Sequence, residues 1–335
     1  IFGDKNGLVH ILSNDGSEWD NDLFPFDAGD EIWGSIAFAD IDLDGFNEIV
    51  IASKSKHLYA LDINGLDFDF NADQFLVGTP AIGDFDDDEY LEVVVSGYTA
   101  SSDIFIVSHD GSSEVVEINE KTPGGVALAD FNGDGKDDII IATESNDMIC
   151  LIDNSLQIDT LFIADDKFKT SPSILDLNGE KIIMAGSYDN NFYAMNSDGE
   201  LLFTIEASDD IVSSPSFMID SFGVVIFFSS DDGYLYAAYQ DGSMLPGWPI
   251  LLDSPSSDVS FSDLDGDGVV EIIAGSGSRI HALRLDGSTF NPIHFPVETE
   301  FPVESSPIIE DFDGDGDLEI IIGTSVNVEA IDVIN

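Results

Sequence analysis

Eight times along the chain, a short apolar segment runs into an Asp-Gly turn or a variant of it, and the copies recur roughly every 45 residues. They are LVHILSNDG (8–16), HLYALDING (57–65), DIFIVSHDG (103–111), MICLIDNS (148–155), NFYAMNSDG (191–199), YLYAAYQDG (234–242), RIHALRLDG (279–287) and NVEAIDVIN (327–335). Most are preceded by an apolar run that ends in small residues, such as EIVIAS, EVVVSG or EIIIGT, and before it by another short strand such as SIAFAD or GVALAD. A fourth strand follows the Asp-Gly turn, often with a Phe-Pro or Trp-Pro element, as in LFPF (23–26), GWPI (247–250) and HFPV (294–297). The unit is therefore four strands, here called A to D in chain order, joined by Gly, Asp and Asn turns and without helical periodicity. A repeat of this length and content predicts an all-β chain, a β-propeller of four-stranded antiparallel blades. One blade cannot bury both faces of its sheet; a ring of blades can.

Strand C occurs eight times and strand A seven times. The first unit lacks its A strand and the last its D strand. The expectation is eight blades in one domain, 1–335, with repeats near 1–34, 35–78, 79–124, 125–170, 171–213, 214–257, 258–305 and 306–335. A seven-bladed ring, with the first ~30 residues as surplus, is the alternative. The chain opens within a strand, without an initiator Met or a signal peptide, and reads as a piece of a longer protein with further domains attached.

Charge narrows the partners. Ten basic against 67 acidic residues give −57. No basic patch can be assembled from ten scattered cations, which excludes nucleic acid and anionic membrane surfaces and makes cations the natural counter-charge. There is no run of ~20 apolar residues to insert in a membrane. The single cysteine, Cys150, rules out an intrachain disulfide.

The acids are not scattered. Five A–B connections share the form D-x-[DN]-x-D-[GE]-x-x-[DE]. In the first the donors are Asp40, Asp42, Asp44, the Phe46 carbonyl and Glu48; in the second, Asp84, Asp86, Asp88, the Tyr90 carbonyl and Glu92. The third offers Asp130, Asn132, Asp134, the Lys136 carbonyl and Asp138. The fourth offers Asp263, Asp265, Asp267, the Val269 carbonyl and Glu271, and the fifth Asp311, Asp313, Asp315, the Asp317 carbonyl and Glu319. Oxygen donors at positions 1, 3, 5, 7 and 9 around a turn at 6 suit one hard cation, and calcium accepts six to eight oxygens with tolerant geometry, whereas magnesium keeps its waters. The pattern follows the first half of an EF-hand loop, but the closing carboxylate stands at 9 rather than 12 and a strand follows at once. Turn formation alone would also favour Asp, Asn and Gly; it does not account for five copies in one register with one closing carboxylate. About five calcium ions are expected. The A–B connections within LDLNGEKIIMAG (175–186) and MIDSFGVVIFFSS (218–230) lose the carboxylates, and no ion is expected there.

These loops and repeats resemble the FG-GAP/VCBS repeats of secreted bacterial proteins and of the integrin α-subunit propeller. The likeness spans essentially the whole chain. The literal Phe-Gly-Gly-Ala-Pro is absent; the equivalent place reads Thr79-Pro80-Ala81, Ser171-Pro172-Ser173 or Ser306-Pro307-Ile308. The resemblance implies calcium in the A–B loops and an extracellular or cell-surface setting. LPGWPI (245–250) is similar to segments of large multidomain bacterial surface proteins.

Other residues read as packing. His10 and His281 share a C-strand column with Tyr59, Phe105, Tyr193 and Tyr236. Cys150 is aligned with Ile11, Ala60, Ile106, Ala194, Ala237, Ala282 and Ala330, as a small buried residue. His57, His109 and His294 show no ligand spacing, and Trp248 reads as blade packing. The D–A connections, on the face opposite the acidic loops, vary from repeat to repeat and are the expected place for a protein or glycan ligand, with Trp33, Phe168 and Phe301 as exposed candidates. The functional expectation is a calcium-stabilised, non-enzymatic binding or adhesion module. The alternatives are a carbohydrate-active enzyme, for which the sharpest version is a rhamnogalacturonan-lyase-like propeller, and a structural spacer of a surface assembly. A lyase needs cations near its acidic sugar, and neither Arg279 nor Arg284 lies in a D–A connection.

Overall fold

The B strands show why this chain folds as it does. EIVIA (48–52), EVVVS (92–96) and DIIIA (138–142) are buried at every position, which is where continuous β-branched runs belong in a sheet covered on both faces. Along the first of them, Val50 and Ala52 pack with Val93, Val95 and Phe105 of the following sheet. Ile49 and Ile51 pack with Val9, Phe24 and Ile32 of the preceding one. Alternate side chains of one strand thus enter two different cores, as the period of two requires. The same division holds further on: Val93 and Val95 face one core, Val94 the next with Ile139 and Ile141. Ile272 and Ala274 pack with Phe227 and Trp248, while Ile273 packs with Ile320 and Ile322.

The computed structural model describes residues 1–333 apart from 87, 221–222, 253 and 292, with the backbone alone at 220. Eight antiparallel sheets follow one another in chain order, and the described residues contain no helix. The first sheet has three strands, Phe2–Gly3, Leu8–His10 and Phe26–Asp27, and the eighth also three, Ile308–Glu310, Glu319–Gly323 and Val328–Asp332. Each of the six between has four. The second is typical: Ala37–Ala39, Glu48–Ala52, His57–Leu61 and Leu66–Asn71. The fold is an eight-bladed β-propeller, and the seven-bladed alternative falls. As expected, strand A is missing from the first sheet and strand D from the last, among the described residues. Two compact units make up the chain, 1–185 with 195–200 and 186–194 with 201–335.

Register corrects one column. Tyr59 pairs with Ile51 and Ala60 with Val50, whereas Cys150 pairs with Ile141 and Leu151 with Ile140. Cys150 therefore stands in the column of Tyr59, Phe105 and Tyr236, not in the alanine column. The sequence alignment slipped by one because MICLIDNS lacks the aromatic residue that marks the place. The thiol is buried, and burial pushes its pKa up. Trp248 is buried edge-on against Phe227, with its indole N–H donating to Leu285 O at 2.8 Å.

Candidate metal centres in the A–B loops

Each acidic loop is closed by the same hydrogen bond. The carboxylate at position 9 accepts the backbone N–H of position 2: Glu48 from Ile41 at 2.6 Å, Glu92 from Phe85 at 2.9 Å, Asp138 from Phe131 at 2.9 Å, Glu271 from Leu264 at 3.0 Å and Glu319 from Phe312 at 2.6 Å. A buried residue at the first position of a B strand thereby fixes the start of the loop before it. The position-5 carboxylate makes a second common bond, accepting the N–H of position 7, as Asp44 does from Phe46 and Asp267 from Val269. That N–H is turned to the carboxylate, and the position-7 side chains Phe46 and Val269 stay exposed.

What remains after these bonds is a set of unmatched oxygens. Glu92 is 2% exposed and Glu271 0%, yet Oε1 of each is buried without a hydrogen-bond partner, as are Asp40 Oδ1 and Asp84 Oδ1. An uncompensated buried carboxylate is costly. Burial, followed by repulsion from Asp42 and Asp40, pushes the Glu48 carboxyl up to about 7; burial and Asp86, Asp88 and Asp84 do the same for Glu92. Burial likewise raises Glu271 and Asp138. One divalent cation would satisfy the oxygens and reverse the repulsion together. Three carboxylate oxygens converge within 4.8 Å in four loops: Asp40, Asp42 and Glu48; Asp86, Asp88 and Glu92; Asp263, Asp265 and Glu271; Asp311, Asp313 and Asp315. The residues therefore fit a hard oxygen-seeking ion. In the loop at 130–138 position 3 is Asn132, a neutral oxygen donor, so three acids do not converge there. The loops also contact one another: Leu91 N–H donates to Ile41 O, and Asp137 N–H to Asp84 O, at 3.2 and 2.7 Å.

Where the carboxylates are lost, the fifth sheet turns on two residues. Leu177 pairs with Glu180 across Asn178 and Gly179, both with positive φ, which is the type I′ hairpin signature. Asp176 there meets Lys181 at 3.3 Å. The corresponding connection of the sixth sheet includes residues 221 and 222, which lie outside the described residues.

At the other end of the strands, the D–A connections meet the B–C turns. Trp33 is 53% exposed; its indole N–H donates to Glu31, and Lys54 Nζ lies 4.4 Å from its ring centre while bonding Glu31 at 2.9 Å. Lys121 sits 4.3 Å from the Tyr98 ring and 3.0 Å from Glu144. Phe168 is no surface residue: it is 0% exposed. Its N–H donates to Thr143 O as Ile32 N–H does to Asp4 O and Leu76 N–H to Ser53 O, so it belongs to a column of buried plugs beneath the connection. Phe301 is half-buried. Sequence reasoning missed the place of His109, which stacks on Tyr90 of the second acidic loop with ring centres 3.8 Å apart; the common offset of the C–D turns was the available signal.

Comparison with known proteins agrees with the repeat. Residues 84–141 and 263–322 match the FG-GAP-like repeat, and residues 124–215 match the λ-carrageenase β-propeller domain. A curated relative, the λ-carrageenase of a Pseudoalteromonas species, is 35% identical over 82 residues, 24% of this chain and 8% of that protein. Among solved structures, BBS1N in complex with ARL6DN has a TM-score of 0.59 at 14% identity, covering 89% of this chain and 90% of that one. BamB from Moraxella catarrhalis has a TM-score of 0.52 at 15% identity, covering 89% and 96%. At such identities these two speak for the fold alone.

Proposed function

Taking the chain as a β-propeller that carries FG-GAP-like repeats, we propose that it is a calcium-stabilised, extracellular module that binds a polysaccharide. The match of residues 124–215 to a carrageenase propeller domain carries the carbohydrate reading. The buried Oε1 atoms of Glu92 and Glu271, which accept no hydrogen bond, support calcium, and calcium at the millimolar level found outside cells fills loops of this kind. Among the described residues no helix is long and apolar enough to cross a membrane.

The glycan surface is the side of the D–A connections and B–C turns. Of eight lysines, six (Lys5, Lys54, Lys56, Lys121, Lys167 and Lys169) fall there, while Lys136 and Lys181 lie with the A–B connections. In a chain of charge −57, this is where a polyanion meets the least repulsion. Trp33, with Lys54 beside it, adds an exposed aromatic surface on which a sugar ring stacks. Affinity electrophoresis tests the reading, with λ-carrageenan as a sulfated galactan and agarose as a neutral one. Retardation in λ-carrageenan with calcium present, reduced in Trp33→Ala and Lys54→Ala, is expected; migration unchanged by either polysaccharide sinks the carbohydrate reading. A second reading, that the chain belongs to a polysaccharide-cleaving enzyme, draws on the same carrageenase match. Release of reducing ends from λ-carrageenan by this chain favours it over binding alone.

A further inference from the structure

One of the five acidic loops is already filled by its own chain. In every loop the position-5 carboxylate bonds the position-7 N–H through Oδ1; for Asp134 this is Lys136 N–H at 3.0 Å. In the third loop the other oxygen is also taken, because Asn154 Nδ2 donates to Asp134 Oδ2 at 2.8 Å. The closing carboxylate shows the same difference. Oε1 of Glu92 is buried and unmatched and that of Glu271 has no hydrogen bond, only Arg284 Nε at 4.0 Å, whereas Asp138 Oδ1 accepts the Asn154 backbone N–H at 3.3 Å. Asp138 is also one methylene shorter than the glutamates that close the other four loops. Asn154 belongs to the C–D turn that packs on the loop, where the second, third and seventh blades carry Ile63, His109 and Leu285. None of those three side chains ends in an amide that donates through one atom while its own backbone N–H serves a second carboxylate.

We propose that the loop at 130–138 is a clasp closed by Asn154 instead of by a cation, so that the molecule has four calcium sites of one kind and a fifth loop that holds without an ion. The inference rests on the calcium reading of the four converging loops. The side-chain amide and the backbone N–H of Asn154 supply partial positive charge to one oxygen of Asp134 and one of Asp138, which a cation would otherwise have to offset, and Lys136, within the loop, adds a full charge. The fourth blade thereby keeps its A–B connection ordered at calcium levels that empty the others.

Native mass spectrometry of the whole chain under titration with calcium alone decides the matter. The wild type is expected to saturate at four ions, Asp267→Asn at three and Asp134→Asn at four. Asn154→Leu, which places there the residue of the seventh blade, is expected to gain a fifth ion. Five ions in the wild type, or a count that falls in Asp134→Asn, overturns the proposal, and no gain in Asn154→Leu overturns the role of Asn154. Asp134→Asn leaves the C–D turn intact and decides the question even if Asn154→Leu folds poorly. The two readings fail differently: no bound calcium at all overturns the calcium reading and the distinction between loops with it.

Discussion

The closing carboxylates would act with opposite sign with and without a bound cation. Glu92 is buried and its carboxyl is raised from 4.5 to about 7. Its folded form holds the proton more tightly than the unfolded form does. In chelator the protein therefore loses stability as pH rises from about 4.5 through about 7. Glu92→Gln removes that loss and keeps an acceptor for Phe85 N–H. At pH 8 in EDTA the variant is expected to be more stable than the wild type, by at most on the order of 3 kcal/mol, and so to melt higher. In millimolar calcium it is expected to melt lower, because a ligand is gone. Scanning calorimetry in the two buffers checks the pair, and a shift of the same sign in both sinks the argument. Asp258 gives a similar case away from the loops. It accepts Ser214 N–H at 2.8 Å, and burial raises its pKa. With a raised folded pKa, stability is lost as pH rises above the ordinary carboxylate range. Asp258→Asn is expected to raise the melting temperature at pH 7 and to match the wild type at pH 3; no gain at neutral pH would count against it.

Within the blades, the A strands begin where neighbouring backbones nearly touch. A Cβ on Gly34 would strike the backbone of Gly78, one on Gly78 the carbonyl of Gly124, and one on Gly124 the backbone between Thr170 and Ser171. The φ of Gly78 is not positive, so close approach alone demands glycine there. Gly78→Ala is expected to cost about 3 kcal/mol. Gly65→Ala, in open space on a C–D turn, should lie within about 0.5 kcal/mol of the wild type. Chemical denaturation measures both, and equal midpoints would refute the packing account. Little of this was legible in sequence. The blade, its four strands and the acidic loops repeat in register, and repetition multiplies a weak signal. Backbone approach at Gly78 and burial of Phe168 depend on the neighbouring blade, which local pattern does not display. The slip at Cys150 has the same origin: strand C is recognised by its aromatic residue, and where that is absent only pairing to Ile141 fixes the register.

Over the whole molecule, charge sets how stability responds to ions. Four divalent cations, one in each converging loop, would add +8, taking −57 to −49, so calcium would leave most of the self-repulsion in place. Two ion effects are therefore separable. Repulsion between exposed acids is screened by any salt, with a Debye length that falls from about 30 Å at 0.01 M to about 10 Å at 0.1 M. The melting temperature in EDTA is thus expected to climb steadily with sodium chloride. The buried oxygens of Glu92 and Glu271 lie beyond the reach of mobile salt. Sodium should not replace calcium there, and magnesium, which keeps its waters, should do so poorly. At 0.5 M sodium chloride, with long-range repulsion already screened, 1 mM calcium is still expected to raise the melting temperature by several degrees, and 1 mM magnesium by much less. If the calcium increment vanishes at 0.5 M salt, the loops act as a diffuse acidic surface and bind no ion in place. If it persists, the acidic composition and the ion sites are separate features of the chain, the first screened by any salt and the second satisfied only by a cation that fits.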